Sequence, residues 1–588
     1  MNPLIRPHVA RFARALAHLV VASGLIVVST HAAAAQTPPP SAPVFGESVE
    51  VNLVNIDVVV VDKDGRPVVG LTRDDFSLFE EGRSVPIEFF SGPEPGAVFV
   101  PLPGAAAAPA APTPTVQPTA APVPPIQRPV LVIYVDGLDL RPGPRNDSLK
   151  RLARLVDDRM IIGHRVLLAA FDRNLRLLTP VTDDRKLVRR AFDELATINP
   201  GGIGMQTRRR TLLADIQSTF AGDSAGNSQA ESLLHDIEAY ATSETQERRA
   251  AMVALADLLS TLAGIDGPKA VFHLSGGLPV QPADDLYSAW QRRFGSSVSS
   301  DLDHRRTGGD PDAQILQREL QRITRAAQAS RAVIYTVDGA DRLAEGLSAE
   351  DQGEVESSGD APGVLGAAEA SSNLASLAER SGGHKLMAGP GLDGALGDVA
   401  SELASTYSLG FTPAGTADDR LHSVTVKVKR EGVTVRHREG YRRRSTEDQL
   451  ADAAIAAASF GATQNPLAAR VDVAVGGAAK GKARIVKVLA KVPLSLITLM
   501  PNGTSQSGKL VFDFALRDPD GRVTRYERRE QAFKLAADKV AEALGRPVAY
   551  GIEMHLVPGT YRLAASILDA VGGTRTTAAA EFTVPGSR

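Results

Sequence analysis

Val130-Leu131-Val132-Ile133-Tyr134-Val135 is an unbroken apolar run that ends at Asp136, and its reading decides the fold. A strand that is apolar on both sides belongs in a sheet covered on both faces, as parallel sheets are. Leu149, Leu152, Ala153, Val156 and Met160 then recur at helical spacing, predicting a helix from Asn146 or Asp147. The alternation continues. Val166–Phe171 reads as a second buried strand, and Asp183 or Asp184 is placed to cap a helix carrying Leu187, Val188, Ala191, Phe192 and Leu195. Met252, Leu255, Ala256, Leu259 and Leu262 lead into the strand Ala270–Leu274, and Leu316, Leu320, Ile323 and Ala327 into the strand Ala332–Val337. Strands alternating with amphipathic helices define an α/β domain with a mostly parallel sheet. Asn199–Ser243, Asp284–Pro311 and Ala344–Ser372 are rich in Gly, Ser and charge, and are expected to be mobile surface insertions.

Outward from this body the pattern is β. Residues 44–96 contain Val49, Val51, Leu53 and the run Ile56–Val61, which ends at the turn Asp62-Lys63-Asp64-Gly65. That segment is small for an independent core. Residues 97–127 are largely Ala, Pro and Thr, a composition for an extended tether. After the body, 128–411, short strands resume over 412–444 and are expected to pair with the leading segment. A charged, Ala-rich connector runs from Arg442 to about Phe460. Residues 460–588 hold further strands with turns at Asp520-Gly521 and Pro558-Gly559, expected to form a β-sandwich.

Composition limits the function classes. The chain has 588 residues, 43% of them hydrophobic, which permits several packed domains. A formal net charge of -3 argues against a nucleic-acid binder. There is no cysteine, so no disulfide, thiolate metal site or cysteine nucleophile. Arg6, Arg11 and Arg14, the apolar stretch Ala15–Val28 and the run Ala32–Ala35 read as a secretory signal peptide over 1–35, with an uncleaved anchor as the alternative. The mature chain is therefore expected in the periplasm or secreted, with no later membrane span. No H-E-x-x-H or phosphate loop is found, and the stretch His273-Leu274-Ser275-Gly276-Gly277 lacks the G-x-S-x-G elbow, so a non-enzymatic role is expected. His273 alternates with Phe272 and Leu274 and reads as a packed side chain.

Asp57-Val58-Val59-Val60, Leu71-Thr72-Arg73-Asp74-Asp75-Phe76, Leu377-Ala378-Glu379-Arg380-Ser381-Gly382-Gly383, Tyr407-Ser408-Leu409-Gly410-Phe411-Thr412-Pro413 and Arg438-Glu439-Gly440-Tyr441 together carry a resemblance. Over about Val44–Arg444 the chain resembles the bacterial VWFA-related family of the acidobacterial type. The resemblance implies a doubly wound von Willebrand factor A-like domain, flanked here by β-sandwich elements, with its site at the carboxyl ends of the strands. Such domains usually hold Mg²⁺ through Asp-x-Ser-x-Ser, a Thr from a second loop and an Asp after the fourth strand, because Mg²⁺ demands oxygen ligands in near-octahedral geometry. Here Asp136 stands at the first position, but Leu138 and Leu140 replace the two Ser, and Ser275-Gly276-Gly277 lacks the Asp. Thr211, or alternatively Thr207, fits the second-loop Thr, and Asp139 with Ser275 are the remaining candidate ligands. The expected site is degenerate: metal ligands Asp136, Asp139, Thr211 and Ser275, weak Mg²⁺ binding or none, and no other cofactor. The resemblance then implies a protein-binding or adhesion-type role for an unidentified protein partner, with apolar contact around Leu138 and Leu140. A structural or envelope assembly factor is the alternative, and an extracellular enzyme the least supported.

Overall fold

The computed structural model describes residues 53–93, 128–161, 163–198, 202–220, 224–295, 310–340, 364–415, 417–478 and 482–586. The expected signal peptide, the Ala/Pro-rich tether and the head of the leading β segment (Val49, Val51) lie outside the described residues.

Four short strands lead: β1 (Val54–Val61), β2 (Phe76–Glu80), β3 (Arg83–Val85) and β4 (Phe89–Ser91). The α/β body then runs β5 (Val130–Asp136), α1 (Pro142–Ile161), β6 (Arg165–Asp172), β7 (Asn174–Leu177), α2 (Arg185–Thr197), α3 (Ile203–Ser218) and α4 (Ser224–Leu262). It continues with β8 (Lys269–Ser275), α5 (Asp284–Phe294), α6 (Pro311–Ser330), β9 (Ala332–Asp338), α7 (Val364–Ser381), β10 (Lys385–Met387) and α8 (Leu392–Ala404). Its sheet has the order β10-β9-β8-β5-β6-β7, parallel except for the edge strand β7. The chain thus enters at the centre, winds to one edge, returns to the centre at β8 and winds to the other. Every residue of β5 is buried, because helices cover both faces. Val130, Val132 and Tyr134 pack under α4, α6 and α7, whereas Leu131, Ile133 and Val135 pack under α1, α2 and α8.

Where described, the stretches read as surface insertions are largely helical, which corrects that expectation. Asn199–Ser243 holds α3 and the first half of the 39-residue α4, Asp284–Pro311 opens with α5, and α7 begins inside Ala344–Ser372. Their small and polar residues hid a satellite core. Leu212, Ile216, Ala230, Leu233, Ile237 and Tyr240 close around Trp290, whose indole donates to the Ala230 carbonyl at 2.7 Å. The first helix also starts earlier than expected, at Pro142, a favoured first-turn residue.

After the body come β11 (Tyr407–Phe411), β12 (Leu421–Val428), β13 (Thr434–His437) and β14 (Gly440–Arg442). β1 pairs antiparallel with β11 and β13, β4 with β11, and β2 with β12. Strands from either side of the body therefore share one core, formed by Ile56, Val58, Val60, Phe76, Leu78, Leu409, Phe411 and Tyr441. A largely buried ion pair ties that core to the body. The Arg331 guanidinium donates to Asp57 through Nε (2.7 Å) and Nη2 (2.6 Å), and Arg438 donates to the carbonyls of Asn55 (2.8 Å) and Gln328 (3.1 Å).

The expected connector after Arg442 is instead a buried helix, α9 (Thr446–Phe460), begun by a Ser445 cap and ended by Gly461 at φ 65°. Alanine is the reason. Ala454, Ala457 and Ala458 bring α9 close to Ala515 and Ala564 of the final domain, while Ala456 and Phe460 join the core of the α/β body. The final domain comprises β15 (Arg470–Ala478), β16 (Arg484–Pro493), β17 (Met500–Asn502), β18 (Ser505–Arg517), β19 (Val523–Ala536), β20 (Pro547–Leu556), β21 (Gly559–Asp569) and β22 (Arg575–Val584). Antiparallel sheets β15-β16-β20 and β17-β18-β21-β22, with β19 on β18, enclose Val486, Val488, Phe512, Phe514, Leu563 and Ile567. The whole is a mixed α/β protein with many antiparallel β-sheets. Among the described residues no helix is long and apolar enough to cross a membrane.

Candidate functional site at the strand ends

In a doubly wound sheet the crevice lies where the winding reverses, between β5 and β8 here, beyond their carboxyl ends. Asp136, Ser275 and Asp338 end the three adjacent strands β5, β8 and β9, all three buried. Directly beneath them Tyr134, His273 and Thr336 stand in register.

Asp136 accepts a hydrogen bond from the Leu138 amide at 3.1 Å, which turns the chain away from the strand. Burial pushes its carboxyl up to about 7; the Leu138 amide, Arg248 and Ser275 work against that shift, and Asp139 adds to it. Ser275 is occupied locally: its hydroxyl donates to the Gly277 carbonyl at 3.1 Å and accepts from the Gly277 amide at 3.2 Å. Asp338 accepts from the Ser371 hydroxyl at 2.7 Å, and Lys385 Nζ sits 3.9 Å away. His273 is fully buried, and burial lowers its ring to about 3. Neither ring nitrogen, nor the hydroxyl of neighbouring Tyr134, has a hydrogen-bond partner. The ring is neutral and packed, at 5.3 Å from Tyr134 between centroids.

Two glycines bring the loops together. A Cβ on Gly202, just before α3, would lie 1.5 Å from the Leu138 carbonyl oxygen. A Cβ on Gly276 would lie 2.5 Å from the Asp139 carbonyl oxygen, so this loop has no room for the Asp that the resemblance leads one to expect. Asp139 is drawn to α4, where its carboxylate takes Arg248 Nη1 at 2.6 Å. Arg248 Nε and Nη2 hold Glu244 Oε1 at 2.9 and 2.6 Å, and Glu244 Oε2 accepts the Ala283 amide at 2.9 Å. Burial opposes the charge of Arg248, but the two carboxylates outweigh it and keep the guanidinium firmly protonated. Beside this network a small cleft is lined by Leu138, Met205, Gln206, Arg209, Tyr240 and Glu247. Arg209 in turn pairs with Asp285 at 2.9 Å.

Of the four expected metal ligands, the structure gathers Asp136, Asp139 and Ser275 but not Thr211. Thr211 is exposed on α3 and donates to the Thr207 carbonyl at 3.2 Å, and Thr207 does the same one turn earlier, to Ile203 at 2.9 Å. Both hydroxyls serve their own helix. Leu140 is also corrected: at 2% exposure it belongs to the core under α1 and offers no surface for contact. Leu138 is half-buried and lines the cleft. The residues present do not fit Mg²⁺, because a guanidinium already occupies Asp139 and the amide and carbonyl of Gly277 already occupy Ser275. Among the described residues no group of three or more His, Cys, Asp or Glu could hold a metal ion. Sequence reading missed Arg248, Glu244 and Asp338. The signal for the first two was the i,i+4 Glu–Arg spacing, which falls just past the stretch Asn199–Ser243 read as a surface insertion.

No protein-family model matches the chain, and no curated protein matches it. Solved structures do. A mutant of the PilB minor pilin from Streptococcus sanguinis is similar at 10% identity over 48% of this chain and 62% of the pilin, with a TM-score of 0.24. The likeness therefore takes in less than two thirds of that protein. An aerotolerance-related membrane protein from Bacteroides fragilis is similar at 11% identity over 47% of this chain and 98% of its own, with a TM-score of 0.22. Proximal thread matrix protein 1 of the mussel byssus is similar at 10% identity over 36% of this chain and 38% of its own, with a TM-score of 0.15. Scores this low carry no argument about function.

Proposed function

We propose that this chain is a secreted or periplasmic binding protein whose α/β body is of the von Willebrand factor A type, and that it holds a protein partner at the strand-end face without a divalent cation. The observation that carries the reading is the reversal of winding between β5 and β8, with the start of α3 and the middle of α4 gathered over it. Ligands of doubly wound sheets bind at that point. The motifs from Asp57 to Tyr441 support the family, and the N-terminal Arg-rich and apolar segment supports the location. With Leu140 in the core, contact falls to Leu138, Met205, Gln206 and Glu247.

A second reading, a structural or assembly factor, draws support from the interlocking of bodies by β1 with β11 and by α9. One experiment separates the two. The tagged chain is expressed in its host, the envelope fraction is crosslinked, and recovered partners are compared between wild type and the exposed-face variant Gln206→Arg/Glu247→Arg. Loss of a partner from the variant supports binding at the strand ends. Retention of every partner by the variant supports the assembly role instead.

A further inference from the structure

The carboxylates above the strand ends, Asp139 and Glu244, already have a cation. Arg248 extends from α4 with its side chain 15% exposed and makes three charge-assisted hydrogen bonds, one to Asp139 and two to Glu244. Asp139 belongs to the loop after β5 and Glu244 to α4, and the Ala283 amide, just before α5, fills the second oxygen of Glu244. One guanidinium therefore joins the strand-end loop, the long helix and the entry to α5. Its charge also reaches buried Asp136.

A divalent cation has little to gain here. Mg²⁺ asks for oxygen ligands at ~2.0–2.1 Å in near-octahedral array and gives up its own water reluctantly. To reach Asp139 it would have to displace Arg248 and leave buried Glu244 without its ion-pair partner. The loop after β8 offers no carboxylate, since any side chain at Gly276 would collide with Asp139.

We infer that Arg248 is the resident cation of this site, a covalently attached positive charge in the electrostatic position that a bound metal ion otherwise takes. The face is then organised at all divalent-ion concentrations. The inference deepens the proposed binding role, but its test needs no partner, so the two fail separately.

The test uses the mature, full-length chain. Thermal unfolding in EDTA and in millimolar MgCl₂ or MnCl₂ should give the same Tm, and electron paramagnetic resonance should find added Mn²⁺ free in solution. Arg248→Met, which keeps most of the length and loses charge, should lower Tm by roughly 6 °C or more, since buried Glu244 and half-buried Asp139 lose their partner. Millimolar Mn²⁺ should restore part of that loss, while Arg248→Lys should fall less and remain indifferent to Mn²⁺. The inference is overturned if wild type binds Mn²⁺ or gains Tm with Mg²⁺ and loses that response in Asp139→Asn. It is equally overturned if Arg248→Met matches wild type in Tm. Should Arg248→Met fail to fold, the wild-type and Asp139→Asn measurements still decide.

Discussion

Replacing Asp57 should loosen two bodies at once. Asp57 lies on β1 of the leading β segment, and its partner Arg331 closes α6 of the α/β body in a left-handed turn at φ 56°. The side chains are 10% and 20% exposed, and the guanidinium grips both carboxylate oxygens at 2.6 and 2.7 Å. Burial alone would raise the Asp57 carboxyl; the charge and hydrogen bonds of Arg331, helped by Arg438 and Ser408, overcome it and hold the group below its usual range. Asp57→Ala therefore strands a buried arginine beside a second one, which places its cost near the ~3–5 kcal/mol seen when one partner of a buried pair is removed. Asp57→Ala/Arg331→Ala should cost clearly less than the two single variants added together, because no orphaned charge remains. The lowered carboxyl also fixes the pH dependence. Its stabilisation is present above the unfolded value of ~3.9 and is lost as pH falls through the lower folded value, so wild type and Asp57→Ala should converge in acid. Urea unfolding followed by far-ultraviolet dichroism and by the fluorescence of Trp290, the single tryptophan, reads both bodies. A single-variant cost below ~1 kcal/mol, or strict additivity in the double variant, would refute the reasoning.

Other outcomes follow from the same packing. His273, buried and neutral, takes no proton in the folded state until about pH 3, whereas the unfolded chain takes one at ~6.5; stability should fall across that window as pH drops, and His273→Leu should flatten the acid limb of a Tm-versus-pH curve. Asp136 runs the other way, because its raised folded value means stability falls as pH rises from ~4 to about 7 and is level above; Asp136→Asn keeps the acceptor for the Leu138 amide and should remove that slope in urea midpoints. Ala457→Leu puts three extra carbons where α9 meets Ala515 and Ala564, and calorimetry should show ~1–3 kcal/mol of destabilisation from overpacking.

Much of the architecture was legible because it rests on burial from two sides. Val130–Val135, Val166–Phe171 and Ala270–Leu274 announce a covered sheet, and Asp184 caps α2 as its position indicates, accepting from Lys186 and Leu187. The short leading β segment needed a partner, and β11, β12 and β13 supply it across more than three hundred residues of chain. What was hidden is the helix built from small residues. Ala454, Ala457 and Ala458 look like linker composition until the surfaces they approach are known, and the first half of α4 is amphipathic only toward its own satellite core around Trp290. The site suffered from the same blindness. Asp136 and Ser275 could be placed from the strands they end, but Arg248 meets Asp139 across 109 positions, and no local pattern announces that contact. Thr211 was matched by residue type alone, and its helix turns it outward.

The central claim is that the strand-end face binds a protein partner without a metal ion. Once crosslinking has identified that partner, its affinity for the purified mature chain, measured by calorimetry in EDTA and again in millimolar Mg²⁺, tests the claim most directly. Equal affinities in the two buffers, both weakened by Gln206→Arg/Glu247→Arg, are the predicted result. Affinity that appears only with Mg²⁺, or that the variant leaves intact, would contradict it.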